Sequence, residues 1–265
     1  MLDYHIHTKF CNHAVGEVLE YAAYASGQAF LQEIGFSDHL PMLKWGRPEY
    51  AMTFEHLPDY IRDVRQAQRQ FPGLHIKLGI EADYYSPAEE ESTREFLRQY
   101  PFDYVYGSVH VVEDWAIDDP SNLKHWDEQG IDAIYEGYFQ RLQQAVRSDL
   151  FDIIAHADLV KKFGHRPTKD FSFLIEETIR SCKESDVAVE INSSGLRRPV
   201  KEIYPSPHIL QLLKQYDIPI VFGSDAHHPH EIGKHFTDTR DIVKEFGFTE
   251  LTVFEGRKRV GTYPL

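Results

Sequence analysis

Apolar positions along the chain follow two alternating rhythms. Short runs such as LDYHIHT, QEIGFSDH, HIKLGIEADYY and FDYVYGSVH have the length and the β-branched and aromatic content of buried strands. Between them lie segments with apolar residues every three to four positions. These are EVLEYAAYAS, then TFEHLPDYIRDVRQAQRQF with Thr53 placed to cap it, then PAEEESTREFLRQY with an acidic first turn. The alternation continues through a helix over IYEGYFQRLQQAVRS, a fifth strand DIIAHAD, a helix around FLIEETIRSCKES and a sixth strand VAVEINSSG. A helix SPHILQLLKQY, a seventh strand IPIVFGSDAH and a helix HFTDTRDIVKEFG follow, and a short strand-like tail, TELTVFEGRKR, ends the pattern. One segment breaks it. VVEDWAIDDPSNLKHWDEQG, between His110 and Ile131, is polar and acidic and reads as a loop over a site, too irregular for a core element.

Seven strands alternating with helices predict an α/β fold with a parallel sheet, either doubly wound or closed into a barrel. The 265 residues fit one domain spanning 1–265. There is no GxGxxG or GKS/GKT loop, which argues against dinucleotide and nucleoside triphosphate binding. No apolar run approaches the roughly 18 residues of a membrane span, and MLDYHIHTKF lacks the regions of a signal peptide, so a cytoplasmic protein is expected. Cys11 and Cys182, far apart in sequence, are expected to be thiols. A formal charge of −14, from 42 acidic and 28 basic residues, disfavours a nucleic-acid partner.

The fifteen histidines are the unusual number. In a barrel, chemistry collects at the C-terminal ends of the strands, and those ends carry His5 and His7, His39, Glu81, His110, His156, and Asp225 with His227. Residues two apart on a strand share a face, which pairs His5 with His7 and Asp225 with His227. His13 follows in the first loop. The set exceeds what one ion uses, so at least two metals are implied, with Glu81 as the natural bridging carboxylate. Zinc, iron and manganese all suit such donors. Three divalent ions would bring roughly six positive charges against the two negative ones of Glu81 and Asp225, a pocket suited to a phosphate monoester dianion. Cys11, near the site, is expected to pack. His56, His75, His125, His208 and His235 lie away from the strand ends.

Taken in order, HIH, the His of SDH, the Glu of IEAD, SVH, IAHAD and GSDAH resemble the PHP (polymerase and histidinol phosphatase) family over nearly the whole chain. The resemblance implies a distorted (β/α)7 TIM-like barrel with a trinuclear site. It assigns His5, His7, Glu81 and Asp225 to a first metal, Glu81, His110 and His156 to a second, and His13, His39 and His227 to a third. NSSGLRRP and KKFGHRP point within the family toward the monofunctional histidinol-phosphate phosphatases. The implied activity is hydrolysis of L-histidinol phosphate, a step of histidine biosynthesis, by attack of a metal-bridging hydroxide. Arg197 or Arg198, and Arg166 with Lys161 and Lys162, are the candidate phosphate binders, and Arg197 would also stabilise developing charge. Asp158 and His228 are candidates for the leaving-group proton. Asp3, Asp38 and Asp83 are expected to orient ligand imidazoles, and Glu113, Asp114 and Trp115 are placed to meet a cationic leaving group. The alternatives are a PHP-type phosphodiesterase or nuclease, a phosphatase for another small ester, and a non-catalytic metal-binding or scaffolding domain.

Overall fold

The computed structural model describes residues 1–41 and 49–265. Seven parallel strands run in chain order around its centre: β1 (Leu2–Asp3), β2 (Glu33–Phe36), β3 (His75–Asp83), β4 (Tyr104–Ser108), β5 (Ile153–Ile154), β6 (Ala188–Asn192) and β7 (Ile220–Gly223). Past Asp3 the chain stays extended and meets the end of the last strand. Tyr4 N–H donates to the Phe222 carbonyl and His7 N–H to that of Ala226, each at 2.9 Å, and Ile6 pairs in parallel with Ala226. The sheet therefore closes into a distorted barrel, and of the two topologies the alternation allowed, the barrel is the one formed.

Helices α1 (Val18–Ser26), α2 (Leu57–Gln70), α3 (Glu90–Leu97), α4 (Leu123–Gln129), α5 (Ile131–Arg147), α6 (Ser172–Glu184), α7 (Pro207–Gln215) and α8 (Phe236–Glu245) are interleaved with the strands. Their apolar faces follow from spacing: in α2, Leu57, Tyr60, Val64 and Ala67 are buried while the residues between are largely polar. Thr53 does not cap this helix. Pro58 sits in its first turn and His56 occupies the cap, while the Thr53 carbonyl accepts the His56 N–H in the preceding turn.

Aromatic rings fill the barrel below the site. Tyr104 stacks on Tyr4 at 4.7 Å, and its hydroxyl donates to the Tyr4 carbonyl at 2.6 Å. Its ring lies over Gly35 and Gly79, where any Cβ would fall 2.1 and 2.3 Å from Tyr104 atoms, so β2 and β3 both need glycine there.

Two segments are more ordered than their sequence suggests. The tail is a full antiparallel hairpin, β8 (Glu250–Glu255) and β9 (Lys258–Pro264), turned by Gly256 and Arg257 in left-handed conformations. It closes the bottom of the barrel: Leu251 and Phe254 are buried, Phe254 N–H donates to the Tyr4 hydroxyl, and Arg257 pairs with Asp152 at 2.9 Å. The acidic segment after His110 holds a small hairpin (Val111–Val112 with Trp115–Ala116), a 3-10 turn and α4. Val112, Ile117 and Trp126 belong to the core, correcting its reading as non-core, because these apolar side chains point inward while Leu123 stays exposed. No helix among the described residues is long and apolar enough to cross a membrane.

Candidate metal centre

The nine predicted donors come together at the C-terminal end of the barrel, around and beneath a cavity of about 470 Å³. Strand alternation places His5 and His7 inward from one extended segment, with ring centroids 4.9 Å apart. His156 and Asp225 are delivered differently. Both have left-handed backbones, φ 27° and 52°, which turn the chain at the ends of β5 and β7; such conformations cost about 1–3 kcal/mol each and cluster at functional sites.

Glu81, buried at the end of β3, is the hub. His5 Nε2, His7 Nε2 and His39 Nδ1 stand 3.1, 3.3 and 3.3 Å from its Oε2, and His156 Nε2 and His110 Nε2 stand 3.3 and 3.8 Å from its Oε1. Asp225 Oδ1 lies 3.5 Å from His7 Nε2 and 4.0 Å from His5 Nε2. At the rim, His227 Nε2 faces His13 Nε2 at 2.9 Å. Three imidazoles crowd one carboxylate oxygen, while Glu81 Oε1 and His39 Nδ1 have no hydrogen-bond partner. Buried polar atoms left this way are costly. Divalent cations resolve the arrangement, and the imidazole and carboxylate donors suit zinc, iron or manganese.

The electrostatics agree. Burial opposes charge on Glu81 and Asp225, yet the surrounding histidines hold both carboxyls well below their ordinary range. Burial and neighbouring imidazoles press His7 well below its ordinary value and His13 down to about 3. Burial also disfavours charge on His110, but Asp83, 2.5 Å from its Nδ1, outweighs it and lifts the ring to about 10.

Of the three aspartates expected to orient imidazoles, only Asp83 meets a ring. Asp3 accepts the backbone N–H groups of Ser224 and Gly233, and Asp38 those of Thr8 and Cys11. Both shape the loops that carry donors. Cys11 is buried, accepts the His39 N–H at 2.8 Å and stands 3.4 Å from His7 Nδ1. Sequence reasoning missed Glu190. This fully buried residue of β6 lies 2.7 Å from His5 Nδ1, and its signal was a lone carboxylate within an apolar strand.

Among the candidate phosphate binders, Arg197, Arg198 and Lys162 line the cavity. Arg197 is anchored by the Ser224 and Asp225 carbonyls at 2.8 and 3.2 Å, and its buried Nη1 has no partner. Arg166 points instead into an ion pair with Glu202 at 2.6 Å, and the buried Lys161 bridges Asp158 and Glu202. Asp158 accepts the Ser206 N–H, whereas His228 lies at the cavity wall. Glu113 and Asp114 are exposed at a hairpin turn; Asp118 and Asp119 of the same segment are the carboxylates that line the cavity.

The PHP domain family matches residues 3–194 and the PHP-associated family residues 208–250. A probable histidinol-phosphatase of Deinococcus radiodurans is 36% identical over 97% of this chain and 98% of its own. The histidinol-phosphatase of Bacillus subtilis is 30% identical over 87% of this chain and 95% of its own. In fold, the chain superposes on the histidinol phosphate phosphatase of Lactococcus lactis, solved with zinc, L-histidinol and phosphate, with a TM-score of 0.83, 24% identity and 98% of each chain covered. The donors at successive strand ends thus sit in a barrel of the kind those relatives share, and the chain belongs to the PHP family.

Proposed function

We propose that this chain is a metal-dependent phosphomonoesterase that hydrolyses L-histidinol phosphate to L-histidinol and phosphate. The single observation that carries the metal dependence is the convergence of five imidazoles on the two oxygens of Glu81. Full-length relatedness to histidinol-phosphatases supports the substrate.

In this reading two to three divalent ions are held by His5, His7, Glu81 and Asp225, by Glu81, His110 and His156, and by His13, His39 and His227. Bound there, such ions would acidify water and draw charge from the phosphate oxygens. The protein prepares the reaction by fixing proton positions. Asp83 accepts a hydrogen bond from His110 Nδ1–H, and the Asp225 carbonyl, at 3.0 Å, accepts one from His227 Nδ1–H, so in each ring Nε2 is the nitrogen turned to meet a metal. Arg197, with Nη1 free to donate, grips the phosphate beside Arg198 and Lys162. In this reading His228, at the cavity wall, gives the proton that the departing alkoxide needs. Arg166 acts at one remove, holding Glu202. Residues 1–265 serve as one unit, and a cytoplasmic location suits its two free, buried thiols.

Steady-state assays test the proposal. Phosphate release from histidinol phosphate is expected to outpace cleavage of a phosphodiester or single-stranded DNA by orders of magnitude, and the reverse ranking refutes it. Glu81→Gln is expected to lose bound metal and activity together; an active, metal-free variant would remove Glu81 from its bridging role.

A further inference from the structure

Glu190 reaches both deep groups of donors at once. Its Oε1 lies 2.7 Å from His5 Nδ1, while its Oε2 accepts the backbone N–H of His156 at 2.8 Å and a side-chain N–H of Asn192 at 3.0 Å. The residue is fully buried in β6, and the next strand makes room for it: a Cβ on Gly223 would fall 1.8 Å from Glu190 Oε1 and 2.6 Å from the Cβ of His5. His156, whose amide Glu190 holds, is one of the two donors with a left-handed backbone. One carboxylate therefore sets the ring of His5 and restrains the strained turn that aims His156.

We propose that Glu190 is a positioning residue that couples two metal subsites, by fixing the proton of His5 on Nδ1 and pinning the His156 backbone. The proposal rests on the metal-site reading above. Its physical content is that only a carboxylate satisfies both sides. All its neighbours are donors: the ring N–H of His5, the amide of His156 and the amide of Asn192. A glutamine of the same shape has one accepting and one donating end. With its oxygen toward His5, its NH2 faces two other donors. With its NH2 toward His5, it demands a lone pair on Nδ1, which moves the proton to Nε2 and aims an N–H at Glu81 and the metal position. Either orientation damages one subsite.

The test is zinc retention by zinc-loaded protein dialysed against graded chelator, comparing the parent with Glu190→Gln. Loss of an orienting partner predicts roughly 10- to 100-fold weaker retention, with far-ultraviolet circular dichroism unchanged. Equal retention by parent and variant overturns the coupling role and leaves the phosphatase reading standing. A parent that takes up no zinc overturns both. If the variant does not fold, nitrogen-15 spectra of the imidazoles in the zinc-loaded parent decide. A proton on His5 Nδ1 supports the proposal, and an unprotonated Nδ1 refutes it.

Discussion

The histidines of this site are chemically one residue type but electrically two. His7 and His13 are held neutral by burial and by each other's neighbours, and His227 is lowered for the same reasons. Burial also opposes charge on His5 and His110, but adjacent carboxylates override it: Glu190 and Glu81 raise His5 well above its ordinary value, and Asp83 raises His110 to about 10. At pH 7 these shifts keep His5 and His110 as imidazolium in the metal-free protein, so a metal must displace one proton from each, while His7, His13 and His227 are neutral imidazoles. Adding zinc to chelator-stripped protein at that pH should release protons, seen as a binding heat that depends on the ionisation enthalpy of the buffer. A buffer-independent heat would contradict these assignments. Two of the three arginines first considered for phosphate also separate here. Arg197→Ala should lower kcat/KM by about 10- to 100-fold, the worth of a charge-assisted hydrogen bond, while Arg166→Ala should change it less than about threefold, as expected for a half-exposed ion pair. That eight of the nine candidate donors would gather was legible because period-two spacing and strand-end position are written in the sequence, while His13, in the first loop, has neither and was tied to a metal only by the family resemblance. The partner of Arg166 was not, because it depends on where Glu202 comes to rest.

Among the elements, the strands and helices followed their periodicity, and the misreadings fell where periodicity is short or interrupted. The partner strand of the C-terminal hairpin, KRVGTYP, is mostly exposed, so it offers little apolar alternation to read. The hairpin's importance lies in what it covers. Phe254→Ala should destabilise the fold by about 3–5 kcal/mol, measured by chemical denaturation. The kinetic constants should stay unchanged wherever the variant remains folded, because the hairpin and the donors occupy opposite ends of the barrel. The acidic segment after His110 was misread for a related reason: its helix is a single short stretch, and Trp126 is buried only through tertiary packing.

Across the whole molecule, net charge proved a poor guide to the site. The chain is acidic at −14, yet Lys162, Arg197 and Arg198 face the cavity. The sequence-based charge balance of Glu81 and Asp225 against the metals also omitted the buried carboxylates of Glu190 and Asp83 and that of Asp118 at the cavity wall, which would offset the charge of bound cations. Glu190 could not be counted from spacing, since it reaches His5 only through the closed barrel. That closure has a mechanical side. Where the first and last strands meet, one margin carries His5 and His7 and the other carries Asp225 and His227, on either side of the hydrogen bonds from Tyr4, His7 and Ala226. An ion held between His7 and Asp225 is a rivet through the seam of the cylinder. Stripping the metal should let the seam breathe, with the amides of Tyr4, His7 and Ala226 exchanging hydrogen faster than those between β3 and β4. Uniform exchange would mean that the cylinder stands without its rivet.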